Sequence, residues 1–171
     1  MKTSFMRVVL FLILVSFSIK PSAQSNFTKQ LENVIADSAN GFLAFKGVFK
    51  ALQVNDSVYH SLITINGTKG NDILLIKGIS MYRAIIIDSV KEKQGKKMVE
   101  EWKQKLNTMP GGKFPSGEIE IVSWNPAKYG WKFKQGNLWI DITLYPYNLS
   151  SPSLYWVAFG ITYIYHEMRL Q

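Results

Sequence analysis

The sequence predicts an α+β fold: a curved antiparallel sheet of about seven or eight strands with two helices packed on one face, in the order α-β-β-β-β-α-β-β-β-β. Three observations predict it. Two segments, near residues 27–40 and 91–106, carry apolar residues at the three-and-four spacing of an amphipathic helix. Short runs of branched and aromatic residues lie between them, punctuated by Asn, Gly and Pro clusters that favour turns. The stretch from Tyr129 to Tyr165 then falls in strand rhythm throughout.

In chain order, Lys2 and Arg7 precede an apolar run from Val8 to Val15, and Lys20-Pro21 stands before Ser22-Ala23-Gln24. That is the pattern of a secretory signal peptide over residues 1–23, with cleavage after Ala23 or after Ser25. The run is too short for a comfortable bilayer span, so no transmembrane segment is expected once it is removed. Residues 24–171 then form one domain with 17 basic and 12 acidic side chains, a net +5 against +8 for the whole chain. There is no cysteine, which excludes disulfides, thiolate catalysis and a lipid-modified N-terminal Cys. Export without cysteine points to a secreted or periplasmic protein of a bacterial envelope. Four Asn-x-Ser/Thr sequons, at Asn26, Asn55, Asn66 and Asn148, are read as chance in a chain with ten Asn.

The first helix buries Phe27, Leu31, Val34 and Ile35, with Asn26 or Thr28 at its start and Asn40-Gly41 at its end. Strands follow at Val48–Leu52, Val58–Ile65, Asp72–Lys77 and Met81–Asp88, a meander whose short connections require antiparallel pairing. The second helix buries Met98, Val99, Trp102 and Leu106, while Gly95 weakens its first half. Pro110-Gly111-Gly112 ends it, and Glu118–Trp124 begins the second set of strands. Gly136 divides Gly130–Gln135 from Asn137–Tyr145 as a tight hairpin. The last strand, Leu154–Tyr165, is apolar on both sides, so it is expected at the centre of the sheet. Its small residues Ala158, Gly160 and Thr162 form a trough, read first as the place where a helix packs closely and second as a ligand slot. No internal repeat recurs at a solenoid period.

Function is less legible. The sequence has no His-Glu-x-x-His, nucleophile elbow or phosphate-binding loop. His60 and His166 would need Glu167 or Asp141 beside them to hold a metal, and no spacing requires it. No cofactor is expected. The best enzymatic set is Glu118, Glu120 and Asp141, acids flanked by aromatic rings as glycoside hydrolysis needs. The same region reads alternatively as an aromatic platform of Trp131, Trp139, Thr143 and Tyr145 that binds a protein, a glycan or a small apolar ligand. Lysines interleaved with aromatics in Trp131–Lys134 make one amphipathic strand, and nucleic acid is not expected as a partner. A small outer-membrane barrel is disfavoured by the two helices and by the non-aromatic C-terminus. The preferred expectation is a non-enzymatic binding domain that works through its sheet or a sheet edge.

Overall fold

The computed structural model describes residues 21–53, 56–109, 116–118, 127–150 and 153–165. Helix α1 (Pro21–Ala36) leads into two short 3₁₀ turns and then β1 (Lys46–Gln53), β2 (Asp56–Ser61), β3 (Lys69–Ile76) and β4 (Ile79–Val90). Helix α2 (Glu92–Asn107) is followed by β5 (Ser116–Glu118), β6 (Tyr129–Gln135), β7 (Leu138–Pro146) and β8 (Tyr155–Ile164). All eight strands form one open sheet in the order β1-β2-β3-β4-β8-β7-β6-β5, with every neighbouring pair antiparallel. The α+β class and the element order are those the sequence predicts. No described helix is long and apolar enough to cross a membrane.

Each half of the chain is a helix followed by four strands, and the halves meet at the β4–β8 pair. The register makes the relation between them close to two-fold. Arg83 pairs with Gly160 at the seam. Reading outward, Arg83 pairs with Asp72 and Asp72 with His60, while Gly160 pairs with Asp141 and Asp141 with Lys132. Asp72-Ile73-Leu74-Leu75 and Asp141-Ile142-Thr143-Leu144 therefore occupy equivalent places.

Both helices bury their apolar stripes against one face. Phe27, Leu31 and Val34 of α1 and Val99, Trp102 and Leu106 of α2 share a single core with Ile73, Tyr82, Ala84, Phe133, Ile140, Ile142, Leu144, Val157, Phe159 and Ile161. These sheet residues alternate along their strands, as one face must. Trp102 is its hub. Its ring stands edge-on to Phe27 at 5.5 Å and tilted to Phe159 at 5.4 Å.

Several local expectations are corrected. Helix α1 begins at Pro21, so Asn26 and Thr28 lie inside it rather than capping it, and it stops at Ala36. Gly41, at φ +73°, closes the 3₁₀ turn that follows. Strand β2 ends at Ser61, where the Ser61 hydroxyl donates to the Ile63 carbonyl and turns the chain. Gly95 lies where α2 packs tightly on the sheet, since a Cβ there would overlap the Leu144 side chain. The predicted signal segment lies outside the described residues apart from 21–23, which are helical. Most of the expected strand at Glu118–Trp124 lies outside them too.

The trough on β8 is a larger correction. Helices pack on the Val157, Phe159 and Ile161 side, so no described helix reaches Ala158, Gly160 and Thr162. Because β8 is apolar on both sides, alternation separates its two faces without saying which one the helices take.

Candidate functional site

The sheet face away from the helices, called the far face below, carries the chemistry. Its central row crosses seven strands: Lys50 on β1, His60 on β2, Asp72 on β3, Arg83 on β4, Gly160 on β8, Asp141 on β7 and Lys132 on β6. Rows of mixed size lie on either side. One contains Leu74, Met81, Thr162, Trp139 and Lys134, and the other Ile85, Ala158, Thr143 and Gly130. Tyr145 and Trp156 continue the surface, paired in register with their rings stacked at 4.7 Å and 25°.

The two acids of the central row sit in equivalent places and differ sharply in environment. Asp72 is buried and compensated, with both carboxylate oxygens bound by the Lys50 ammonium at 3.0 and 3.1 Å. Arg83 Nη2 stands 3.7 Å and His60 Nδ1 4.0 Å from the same carboxylate. Asp141 has no cation within ion-pair distance among the described residues. Its carboxylate leans over Gly160, where a Cβ would lie 2.5 Å from Asp141 Oδ1, and it accepts one hydrogen bond, from the Thr143 hydroxyl at 3.0 Å.

The electrostatics follow from that geometry. Burial pushes the Asp141 carboxyl above the usual aspartate value, and the Thr143 hydroxyl and the Lys132 charge only partly oppose it. The residue as a whole keeps some exposed surface even though its carboxyl is enclosed. The Tyr145 phenol is pushed up to about 12, first by burial and then by the Asp141 charge. A perturbed acid among half-buried rings, on a face that no described helix covers although Leu74, Thr143, Ala158 and Thr162 at its centre are buried, is the kind of place where ligands bind.

The expected platform is only partly assembled. Trp139, Thr143 and Tyr145 share the far face, but Trp131 does not. Gln135 pairs with Leu138 across the two-residue turn, so odd-numbered positions of β6 face the same side as even-numbered positions of β7. Trp131 therefore lies opposite Ile142 on the helix side, where its indole N–H donates to Glu100 Oε1 at 2.7 Å. Lys103 sits 3.0 Å above its ring, and the Tyr129 hydroxyl donates to the same Glu100 oxygen. The Tyr129 and Trp131 donors, with Lys103 nearby, hold the Glu100 carboxyl below its ordinary value. This cluster ties α2 to β6.

Trp139 is half-buried and already has company, with Lys132 at 4.3 Å and Lys134 at 5.3 Å from its ring centroid. Among the described residues no tryptophan is fully exposed. Glu118 takes the register position opposite Trp131 rather than one in the Asp141 row. Glu120, His166 and Glu167 lie outside the described residues, and His60 stands near Asp72 in the other half of the sheet.

Sequence reasoning found Asp141 and missed Asp72, Arg83, Gly160 and Lys132 as its counterparts. The signal was present in Asp72-Ile-Leu-Leu-Ile76 against Asp141-Ile-Thr-Leu-Tyr145, a similarity across about half the chain rather than at a repeat period.

A second surface stands out at the β1 edge. Val48, Phe49 and Leu52 are exposed, as are Leu43 and Leu62 nearby. Among the described strands β1 pairs only with β2, through an irregular register.

Comparison with protein-family models, with characterised proteins and with solved structures finds no match to this chain.

Proposed function

We propose that this chain is a non-enzymatic binding module, exported to the cell envelope or beyond, that engages a protein, glycan or small-molecule ligand through the far face of its sheet. The observation that carries the reading is the division of labour between the faces. Both helices stand on one side, while the other carries Trp139, Asp141, Thr143, Tyr145 and Trp156 as one surface with an uncompensated acid at its centre. The signal-like N-terminus and the lack of cysteine support export.

Amide and indole chemical-shift mapping of the full chain tests this with three probes: agmatine, chitotriose and an uncharged extended hexapeptide. Saturable shifts at Trp139, Tyr145 and Trp156 with at least one probe are expected. Silence there with all three overturns the reading.

The exposed apolar residues of β1 favour a second reading, in which a partner adds a strand to that edge. Shifts confined to residues 46–53 with the hexapeptide would support it. A hydrolase built on Glu118, Glu120 and Asp141 draws less support, because the Glu118 backbone position is not in the Asp141 row. Under that alternative Glu118→Gln and Asp141→Asn abolish turnover of a glycoside substrate. Under the binding reading there is no turnover to lose.

A further inference from the structure

The near two-fold relation between the halves turns Asp72 into an internal reference for Asp141. Each acid stands one strand from the seam, and its neighbour across the ladder is the seam residue of its own half, Arg83 for Asp72 and Gly160 for Asp141. In the first half a guanidinium from the seam and an ammonium from the edge strand compensate the carboxylate. In the second half the seam offers no side chain. The cation of the outer strand, Lys132, lies over the Trp139 ring rather than on the carboxylate.

We infer that Asp141 is the binding point for a cationic group, a guanidinium or a primary ammonium carried on a ligand, which takes the place that Arg83 holds beside Asp72. This inference rests on the reading of the far face as the binding surface and narrows the ligand to one chemical class. Three features of the site fit such a ligand.

The first is reach. Asp141 is half-buried as a residue; its carboxylate fills the space a side chain at Gly160 would take, among the buried Thr143, Ala158 and Gly160, so a cation reaches it along the exposed part of the Asp141 side chain.

The second is the surroundings. Trp139 two residues before Asp141 and Tyr145 four residues after it lie on the same face, with Trp156 stacked on Tyr145. The Trp139 ring already carries Lys132 and Lys134, which leaves the half-buried Tyr145 and Trp156 rings to take the apolar stem of an arginine-, lysine- or polyamine-like group.

The third is that the neighbouring charges are already engaged. Arg83 leans to Asp72 and Lys132 to Trp139, while the Thr143 hydroxyl occupies only Asp141 Oδ2. An anionic ligand would meet the carboxylate with both nearby cations committed elsewhere. A metal ion would find one carboxylate, and no cluster of three or more His, Asp or Glu exists among the described residues.

Ion pairing holds a carboxylate ionised, whereas burial without a partner favours its neutral form. Binding of a cation at Asp141 therefore releases a proton when the pH lies near its raised titration point. The cation acting on it is Lys132 on β6, and the Tyr145 phenol beside it on β7 feels both Asp141 and Arg83 of β4.

The test is calorimetric titration of the full chain with agmatine, which carries a guanidinium and an ammonium on a four-carbon stem. Wild type should bind saturably. Asp141→Asn, which keeps the size and removes the charge, should bind about tenfold more weakly or worse, as expected for losing a charged hydrogen-bonded partner. Asp88→Asn, an acid away from the row, should leave binding unchanged. Melting curves establish that each variant is folded, and Asp141→Ser replaces Asp141→Asn if that variant is not. Equal binding by wild type and Asp141→Asn overturns the inference. So does absence of agmatine binding, and if chitotriose still shifts Trp139 and Trp156 the far-face reading survives alone. No response of the far face to any probe removes both.

Discussion

Asp72 and Asp141 have the same place in the two halves of one sheet, the same following isoleucine in the core and the same distance from the seam, yet one is compensated and the other is not. The difference begins at a single pair, Arg83 against Gly160. Backbone symmetry is set by strand register and by the apolar face that the helices cover. Electrostatics is set by the side chains on the far face, and these differ between the halves. The lesson is that a shared layer of core can support two chemically distinct half-surfaces.

The sharpest way to break the comparison is to remove the layer beneath both halves. Trp102→Ala should destabilise the protein by about 3 kcal/mol, measured by chemical denaturation, because it empties the contact between both helices and Phe159. A change below about 1 kcal/mol would mean that the two halves do not share this support.

Asp72→Asn comes next. It leaves the Lys50 ammonium without its carboxylate and should cost about 1–2 kcal/mol at neutral pH, less than a fully buried pair because Lys50 is 43% exposed. Asp141→Asn should be neutral or stabilising at the same pH. Equal losses at the two positions would erase the distinction.

The pH dependence sharpens it further. The folded-state pKa of Asp141 is raised, so the native state holds a proton that the unfolded chain has released. Its contribution is fully present below the unfolded value near 3.8 and is lost as pH rises through the higher folded value. The melting temperature of wild type relative to Asp141→Asn should therefore fall as pH is raised from the acid side, then level off. A difference that grows with pH would contradict the assignment.

The smallest effect belongs to the β1 edge. Leu52→Ser, at a residue 72% exposed, should change stability by less than about 0.5 kcal/mol. A large loss there would show that the edge is structural rather than free for a partner.

How much of this was legible in the sequence depends on which physical signal each feature uses. The element order and the Trp102 stripe follow from hydrophobic periodicity, which senses burial on one face. The faces of β8 were separable by alternation, but the choice of face depends on where the helices dock, and local pattern does not encode that. Aromatic character and closeness in sequence group Trp131 with Trp139. Register across a two-residue turn decides the matter, and it reverses the parity between β6 and β7. Gly95 looked like a helix-weakening residue because propensity knows nothing of Leu144 beneath it. Asp141 was visible as a polar interruption in an apolar strand. Its lack of a cation partner among the described residues was not, since that depends on Gly160, a residue that lies nineteen positions away in sequence and beside it in the sheet.

The most direct measurement is the carboxyl titration of Asp141 in the full chain, followed by the carbon-13 shift of its side chain from pH 2 to 9. The account predicts a midpoint clearly above the ordinary aspartate value of 3.8, moving downward in saturating agmatine as the bound cation compensates the charge. A midpoint at or below that value in the wild-type protein would show that the carboxylate already has its partner, and the case for a cation-binding far face would go with it.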